Sequence, residues 1–273
     1  ISFVNGTCEC PNATVGDTAD ISGVTYTVVD NSTIAGQIAN GNYNLCTTLV
    51  TDMSELFKDN ASFNSDISFW DTSNVTVINE LFYEATNFNQ DLDKWDTSNV
   101  TTMINVFFKA NSFNGNISTW NTSNVTNMSG FAIYTQNFNT DISNWDVSNV
   151  TSLRNTFLNA RTFNQDISNW DVSSVSDMNS TFTGASDFNQ DISSWDVSNV
   201  IDMSRLFTNA SDFNQDISSW DVSSVTEDMW QLFNGASNFN QDLSGWCVTN
   251  ITTEPANFSL NSALTEANKP LWG

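Results

Sequence analysis

The sequence contains no histidine, and only 7 of its 273 residues are Lys or Arg, against 31 Asp and Glu. Without imidazole, the chain lacks the base of Ser-His-Asp and Cys-His sites and the commonest zinc ligand, so catalysis would have to rely on carboxylates. The formal charge of −24 argues against binding to nucleic acids or anionic membranes, because such surfaces need clustered Lys and Arg.

Long apolar runs are missing too, since no segment approaches the roughly 18 residues that a membrane-spanning helix needs. The chain opens at Ile1 without a basic stretch followed by an apolar run, which predicts a mature or trimmed product. Aromatic residues are abundant, with 10 Trp and 20 Phe. The composition therefore predicts a folded protein with a large aromatic core.

A repeat of 25 residues organises most of the sequence, and a fixed period of this kind decides the architecture. One inserted residue near Glu227 delays the last unit. Tryptophan recurs at Trp70, Trp95, Trp120, Trp145, Trp170, Trp195, Trp220 and Trp246. Asparagine, always after Phe, recurs at Asn64, Asn89, Asn114, Asn139, Asn164, Asn189, Asn214 and Asn240. We call the equivalent positions of successive units a column. An aliphatic column runs from Ile67 to Leu243, and a Val column runs from Val75 to Ile251.

The spacing inside one unit predicts its local structure. Apolar residues follow the L-x-x-L-x-L pattern of a leucine-rich-repeat strand, and Met178 and Phe182 lie four residues apart, as on a short helix. The strand residues of this unit are Ile167, Trp170, Val172 and Val175. We therefore expect a leucine-rich-repeat-like solenoid with a parallel β-sheet and one short helix per coil, because such units bury their apolar side only by stacking.

Composition divides the chain into three parts. Residues 1–50 hold three of the four cysteines, turn-rich text and a short alternating run, and predict a small β-rich N-terminal cap. Residues 51–251 form the predicted solenoid of eight coils. Residues 252–273 lose the repeat and predict a C-terminal cap or tail.

The repeat text carries a family resemblance over residues 51–251, where the strings FNxDIS and WD[VT]SNVT recur almost unchanged. It resembles the repeats of BspA-like surface proteins, also catalogued as a Mycoplasma-type lipoprotein repeat of unknown function. The segment from Gly23 to Asn42 resembles the lead-in to such repeats in marine bacterial surface proteins. The resemblance implies a secreted or cell-surface protein with adhesion or matrix interaction as its role, and it implies no enzyme. Unit four departs from the pattern, with Phe131 shifted and Ala132 where other units have Phe.

The Trp and Asn columns each allow two interpretations. A surface strip of Trp would stack on sugar rings, but retention in every unit favours a core position. The Asn column could bind a ligand, yet stacked Asn side chains commonly bond to each other and to the backbone from coil to coil. We expect both columns to be structural.

Two acidic columns need an explanation because stacked like charges repel each other. Backbone N–H donors at turns, Ca²⁺ shared between coils, or salt ions would each offset the repulsion, and we favour backbone donors with no cofactor. Carboxylate pairs also occur in glycosidases, but an active site is single and these pairs recur along the chain. The columns are Asp66, Asp91, Asn116, Asp141, Asp166, Asp191, Asp216 and Asp242, and Asp71, Asp96, Asn121, Asp146, Asp171, Asp196, Asp221 and Cys247.

Four cysteines in a protein of this type indicate an oxidising compartment. Cys8, Cys10 and Cys46 lie in the predicted cap, whereas Cys247 lies in the last unit, roughly 40 Å away at the spacing of parallel strands. Cys247 therefore cannot reach the others within one chain. We expect one bond inside the cap through Cys46, and we hypothesise a bond from Cys247 to Cys8 or Cys10 of the next subunit.

Three functions remain. The first is a non-enzymatic extracellular or cell-surface protein that presents a repetitive face to a protein, a glycan or a solid surface. The second is a structural subunit that polymerises head to tail into a filament, because a stack with open ends can extend. The third, a carboxylate hydrolase, is the least favoured of the three.

Overall fold

The computed structural model describes residues 1–226 and 229–273, so the predicted insertion at Glu227 lies outside the described residues. The five strands of these described ranges all lie near the N-terminus: β1 Ser2–Val4, β2 Thr7–Glu9, β3 Thr18–Ile21, β4 Val24–Asp30 and β5 Leu45–Leu49. The helix α1 covers Ile34–Ala39, and a single 3₁₀ turn covers Glu266–Asn268. The rest of the described chain consists of turns and irregular backbone.

The N-terminal region contains two small sheets. Strands β1 and β2 form a hairpin, and β3 and β4 form another, which β5 extends in parallel to β4. Asn5-Gly6 and Ser22-Gly23 connect the hairpins with positive φ at both residues, the backbone of a type I′ turn. The helix α1 links the parallel strands and buries Ile34 and Ile38.

From Asp52 onward the units lie on one another in register. One residue of each unit forms a parallel bridge with its counterpart in the next, along the series Asp52, Val77, Thr102, Asn127, Ser152, Asp177 and Asp202. The predicted parallel sheet thus corresponds here to a ladder one residue wide. In an exposed column beside this ladder, the backbone N–H donates to the carbonyl of the unit before, as when Thr101 N–H donates to Thr76 O at 3.0 Å.

The short helix predicted for each unit is replaced by consecutive turns. The N–H groups of Asn155, Phe157 and Asn159 donate to the next unit at 2.6–2.9 Å, whereas those of Thr156 and Leu158 donate three residues back. Asn155 and Asn159 have φ values of 58° and 57°. A helix needs negative φ and N–H bonds four residues back, so these residues interrupt it at each turn.

The core is a stack of aromatic rings continued from unit to unit. Within one unit, Phe157 and Phe163 stack with centroids 4.0 Å apart, and each ring stacks on its counterpart in the next unit at 5.7–5.9 Å. The aliphatic column from Ile67 to Leu243 is fully buried, and the Val column is buried except at Ile251, which is partly exposed. Every unit thus completes the core of its neighbours.

In unit four, a neighbouring residue fills the core position that lacks its Phe. Ala132 occupies the position of a stacked Phe, and Phe131, one residue earlier, is turned toward the gap. Its ring meets Phe107, Phe138 and Trp145 edge-on, with centroids 5.3–5.9 Å apart. The ring fills the core from the neighbouring column, and both residues are fully buried.

The stacking continues beyond residue 251. Phe233 N–H donates to Phe258 O at 2.8 Å, and Thr265 N–H donates to Asn240 Oδ1 at 3.1 Å, as in the repeats. Trp272 lies edge-on to Phe258 at 5.0 Å. Residues 252–273 therefore contribute a partial further layer, and the boundary predicted at residue 251 stays a prediction.

Candidate functional site

The eight Trp side chains of the repeats are buried, with exposed fractions of 0–4%. Each indole of the later units donates from Nε1 to a carbonyl of the unit before, as from Trp95 to Ile67 O at 3.1 Å and from Trp170 to Ile142 O at 3.2 Å. Trp70 donates to Tyr43 O at 3.0 Å. These rings are thus not on the surface, where a sugar could stack on them.

The Asn column connects successive units through its side chains. Each Oδ1 accepts the backbone N–H of the next Asn at 2.8–3.1 Å. In several units a Gln adds a second bond, as when Gln190 Nε2 donates to both Asn164 Oδ1 and Asn164 O at 2.9 Å. The acceptor oxygens are therefore engaged within the stack.

The acidic columns form Asx turns. Oδ1 of the Asp or Asn accepts the N–H of a Ser two residues on at 2.8–3.1 Å, as from Ser168 to Asp166 and from Ser173 to Asp171. Asp91 instead accepts Asn116 N–H of the next unit at 2.8 Å. The hydroxyl and N–H of Ser173 hold the pKa of Asp171 below its usual value. Most residues of these two columns are exposed, while Asp71 is buried.

Cation sites were the other explanation for the acidic columns. In residues 1–226 and 229–273, no three Cys, Asp or Glu side chains gather as metal ligands would. In the column of Asp166 and Asp191, neighbouring acids belong to successive units, and each of these two carboxylates accepts the N–H of its own Ser. Turn hydrogen bonds are thus present at these acids, and Ca²⁺ stays an untested alternative.

Replacing Asp171 separates the role of the acceptor from that of the charge. Asp171→Ala removes the acceptor of bonds from Ser173 N–H and Oγ at 3.0 and 2.6 Å, and we expect it to cost about 0.5–1.5 kcal/mol of unfolding free energy. Asp171→Asn keeps Oδ1, as Asn121 does in the same column, so at pH 7 it should lose less stability than Asp171→Ala, namely only the part that the charge contributes. Urea titrations monitored by circular dichroism measure both.

The same pair of variants gives a pH dependence. Because the folded pKa of Asp171 is lowered, the stabilisation by its charged form is present at neutral pH and is lost as the pH falls through that lowered value. Below about pH 4 the wild type should therefore approach Asp171→Asn in stability. A wild type that gains stability over Asp171→Asn on acidification would contradict this role of the charge.

Three cysteines meet under the N-terminal hairpin. Cys8, Cys10 and Cys46 are buried together with Val28, and Cys8 Sγ lies 2.9 Å from Cys46 Sγ. Cys247 is exposed in the last unit. The hypothesised bond from Cys247 to Cys8 or Cys10 of another subunit would therefore have to reach a buried sulfur.

An aromatic patch that the sequence pattern does not predict lies at the surface of the early units. It consists of Tyr83, Phe108 and Tyr134 with Lys58 and Lys109. Tyr83 and Phe108 stack at 4.3 Å, and Tyr134, 42% exposed, meets Phe108 edge-on at 6.3 Å. The Lys58 and Lys109 ammonium groups lie 5.3 and 5.1 Å from the ring centres of Tyr83 and Phe108.

The stacked arrangement of the units defines the class of protein. Units of 25 residues, each bonded to its neighbours by backbone and side-chain ladders, make this chain a repeat protein. Within the described residues, no helix has the length and apolar character to cross a membrane.

Comparison with known proteins then gives the family. The chain belongs to the family DUF285, described as Mycoplasma protein of unknown function, whose model matches residues 24–141, 90–191, 129–246 and 165–270. These overlapping matches confirm the predicted membership of a Mycoplasma-type repeat family. No curated protein matches the chain, and no solved structure does.

Proposed function

We propose that the protein is a non-enzymatic, BspA-like surface protein, a leucine-rich-repeat-like solenoid that acts in adhesion or matrix interaction outside the cell. The repeated Trp, Asn and Asp columns support this proposal, because their polar atoms are bonded within the stack. A surface built in this way is rigid and regular, and it leaves binding to the positions that vary between units.

The aromatic patch carries the proposal. Half-buried or exposed aromatic rings with adjacent cations are typical of binding surfaces, since they combine a large apolar area with a polar rim. Lys58 is paired with Glu55 and Glu80 at 3.2 and 2.6 Å, and Lys109 is paired with Glu84 at 2.7 Å, so three carboxylates face the two ammonium groups of the patch. On a chain of charge −24, such a patch favours an uncharged or basic ligand surface over an anionic one.

Adsorption of the full chain to films of cellulose, chitin and collagen tests this function. We expect binding to at least one film, and an affinity at least about tenfold lower for the double variant Tyr83→Ser/Tyr134→Ser, because buried aromatic area is lost. Ile201→Thr is the matched control, since Ile201 is 43% exposed and lies away from the patch. Equal affinities of the patch variant and the control would contradict the proposal.

A second candidate is the head-to-tail filament, which the two ends of the stack favour. The N–H groups of Asn257, Ser259 and Asn261 have no hydrogen-bond partner among the described residues, although their counterparts in earlier units donate to the next unit. At the other end, no described donor reaches the carbonyls of Ser54 and Leu56. The two rows would pair in the register of the internal units.

The helix α1 weighs against this candidate, because Ile34 and Ile38 pack on the core of the first unit at the end where a second copy would stack. Negative-stain images separate the two candidates. Filaments favour the second, and single particles of one chain favour the first.

A further inference from the structure

We propose that Cys8 and Cys46 form a disulfide bond that fastens the N-terminal hairpin to strand β5. The two sulfurs are thiols in this structure, they lie 2.9 Å apart, which is closer than two unbonded sulfur atoms normally approach, and both residues are completely buried. Their backbones are fixed from both sides: Cys8 N–H donates to Phe69 O at 2.8 Å, and Cys46 pairs with Val28 in the parallel sheet.

Cys10 is the competing partner, because its side chain also lies within hydrogen-bond reach of Cys46. Its backbone N–H donates to Thr48 Oγ1 at 3.0 Å, and its side chain is buried beside the pair. Cys8 raises the pKa of the Cys46 thiol more than burial does, and Cys10 contributes less than either. The distance of 2.9 Å between Cys8 Sγ and Cys46 Sγ pairs these two residues and leaves Cys10 and Cys247 as thiols.

The bond forms by exchange with a low-molecular-weight disulfide such as oxidised glutathione. The thiolate of one cysteine attacks the external disulfide and releases one thiol, and the second cysteine attacks the mixed disulfide and releases another. The protein loses two protons and two electrons, and the external disulfide becomes two thiols. Because both sulfurs are buried in the folded chain, the exchange takes place before the hairpin docks or while it is open.

The bond has a defined mechanical role. Among the described residues, no third strand pairs with the hairpin of β1 and β2, and β1 is exposed along its whole length. Strand β5 in turn contacts the first repeat unit through Thr47 Oγ1, which donates to Asp71 O at 2.9 Å. A bond between residues 38 positions apart thus ties the outermost hairpin to the end of the stack.

Thiol counting on the full chain tests the proposal. The protein is folded in a glutathione redox buffer, denatured without reductant, alkylated with iodoacetamide and analysed by mass spectrometry. We expect two of the four cysteines to be labelled, Cys10 and Cys247, and a protease digest to contain one linked pair of peptides with Cys8 and Cys46. Four labelled cysteines, or a linked peptide containing Cys10 or Cys247, would overturn the proposal.

Variants keep the test decisive if one of them folds poorly. Cys10→Ser and Cys247→Ser should each retain the linked peptide, whereas Cys8→Ser should lose it. Reductant should lower the melting temperature of the wild type and of Cys247→Ser by roughly 5–10 °C and leave Cys8→Ser unchanged. An equal effect of reductant on Cys8→Ser would count against the bond even if that variant is less stable overall.

Discussion

Replacing Trp170 by Ala is expected to lower the free energy of unfolding by about 3–5 kcal/mol, one of the two largest effects that we predict. The indole is 3% exposed, its ring lies 6.5 Å from Trp195 and 6.2 Å from Phe157, and its Nε1 donates to Ile142 O at 3.2 Å. Backbone hydrogen bonds fix the spacing between neighbouring units. The cavity left by the missing indole therefore cannot close by collapse of the stack.

Urea unfolding followed by tryptophan fluorescence and circular dichroism measures this loss. The control is Leu271→Ala, which truncates a side chain that is 82% exposed and should change stability by less than about 0.5 kcal/mol. If the two probes give different transitions, the units unfold separately, and the loss should then be confined to the transition of the central units. A loss below about 1 kcal/mol would contradict the core role of the Trp column.

The second large effect concerns the exchanged pair in unit four. Ala132→Phe restores the residue of the other units but collides with Phe131, and Phe131→Leu removes a ring that fills the gap above Ala132. We expect each single change to cost about 1–3 kcal/mol. The double variant should be more stable than the sum of the two losses predicts, with a coupling of about 1–3 kcal/mol, because together the changes rebuild the regular stack.

A distant pair supplies the control for this cycle. Phe131→Leu combined with Ile201→Thr should be additive to within about 0.5 kcal/mol, since Ile201 is exposed and shares no ring contact with Phe131. Additivity in the Phe131 and Ala132 pair as well would show that the ring of Phe131 does not substitute for the missing Phe.

The period of the sequence predicts which residues lie inside, since each residue has its counterpart 25 positions away as its neighbour. Phe163 and Trp170 accordingly stack on Phe188 and Trp195. The helix could not be predicted correctly in the same way. Residues four apart such as Met178 and Phe182 face one side in a helix and also in a run of turns, and only the backbone donors distinguish the two.

A weak signal for the turns does exist in the sequence. The positions of positive φ are occupied in several units by residues that tolerate it, as by Asn155, Asn159 and Gly184. Glu80 and Lys109 hold equivalent positions in other units and conceal the pattern. Such residues carry the backbone strain because the hydrogen bonds to the next unit fix their conformation.

The candidate site was only partly accessible to sequence reasoning. The Asp columns can be recognised from their spacing, and the repulsion between stacked carboxylates predicts backbone donors at the turns. The aromatic patch could not be recognised, because Tyr83 and Phe108 share one column while Tyr134 belongs to the next. Rings from different columns meet only after the turns have brought them together.

The ladders between units have a consequence for how a gene of this kind changes. The Trp and Asn ladders between units reach only the adjacent unit, as from Trp95 to Ile67 or from Asn189 to Asn164. An in-frame duplication of 25 codons therefore supplies each new interface with all its donors and acceptors. Unequal recombination can lengthen or shorten the molecule by whole layers, so the distance between its two ends evolves independently of its core.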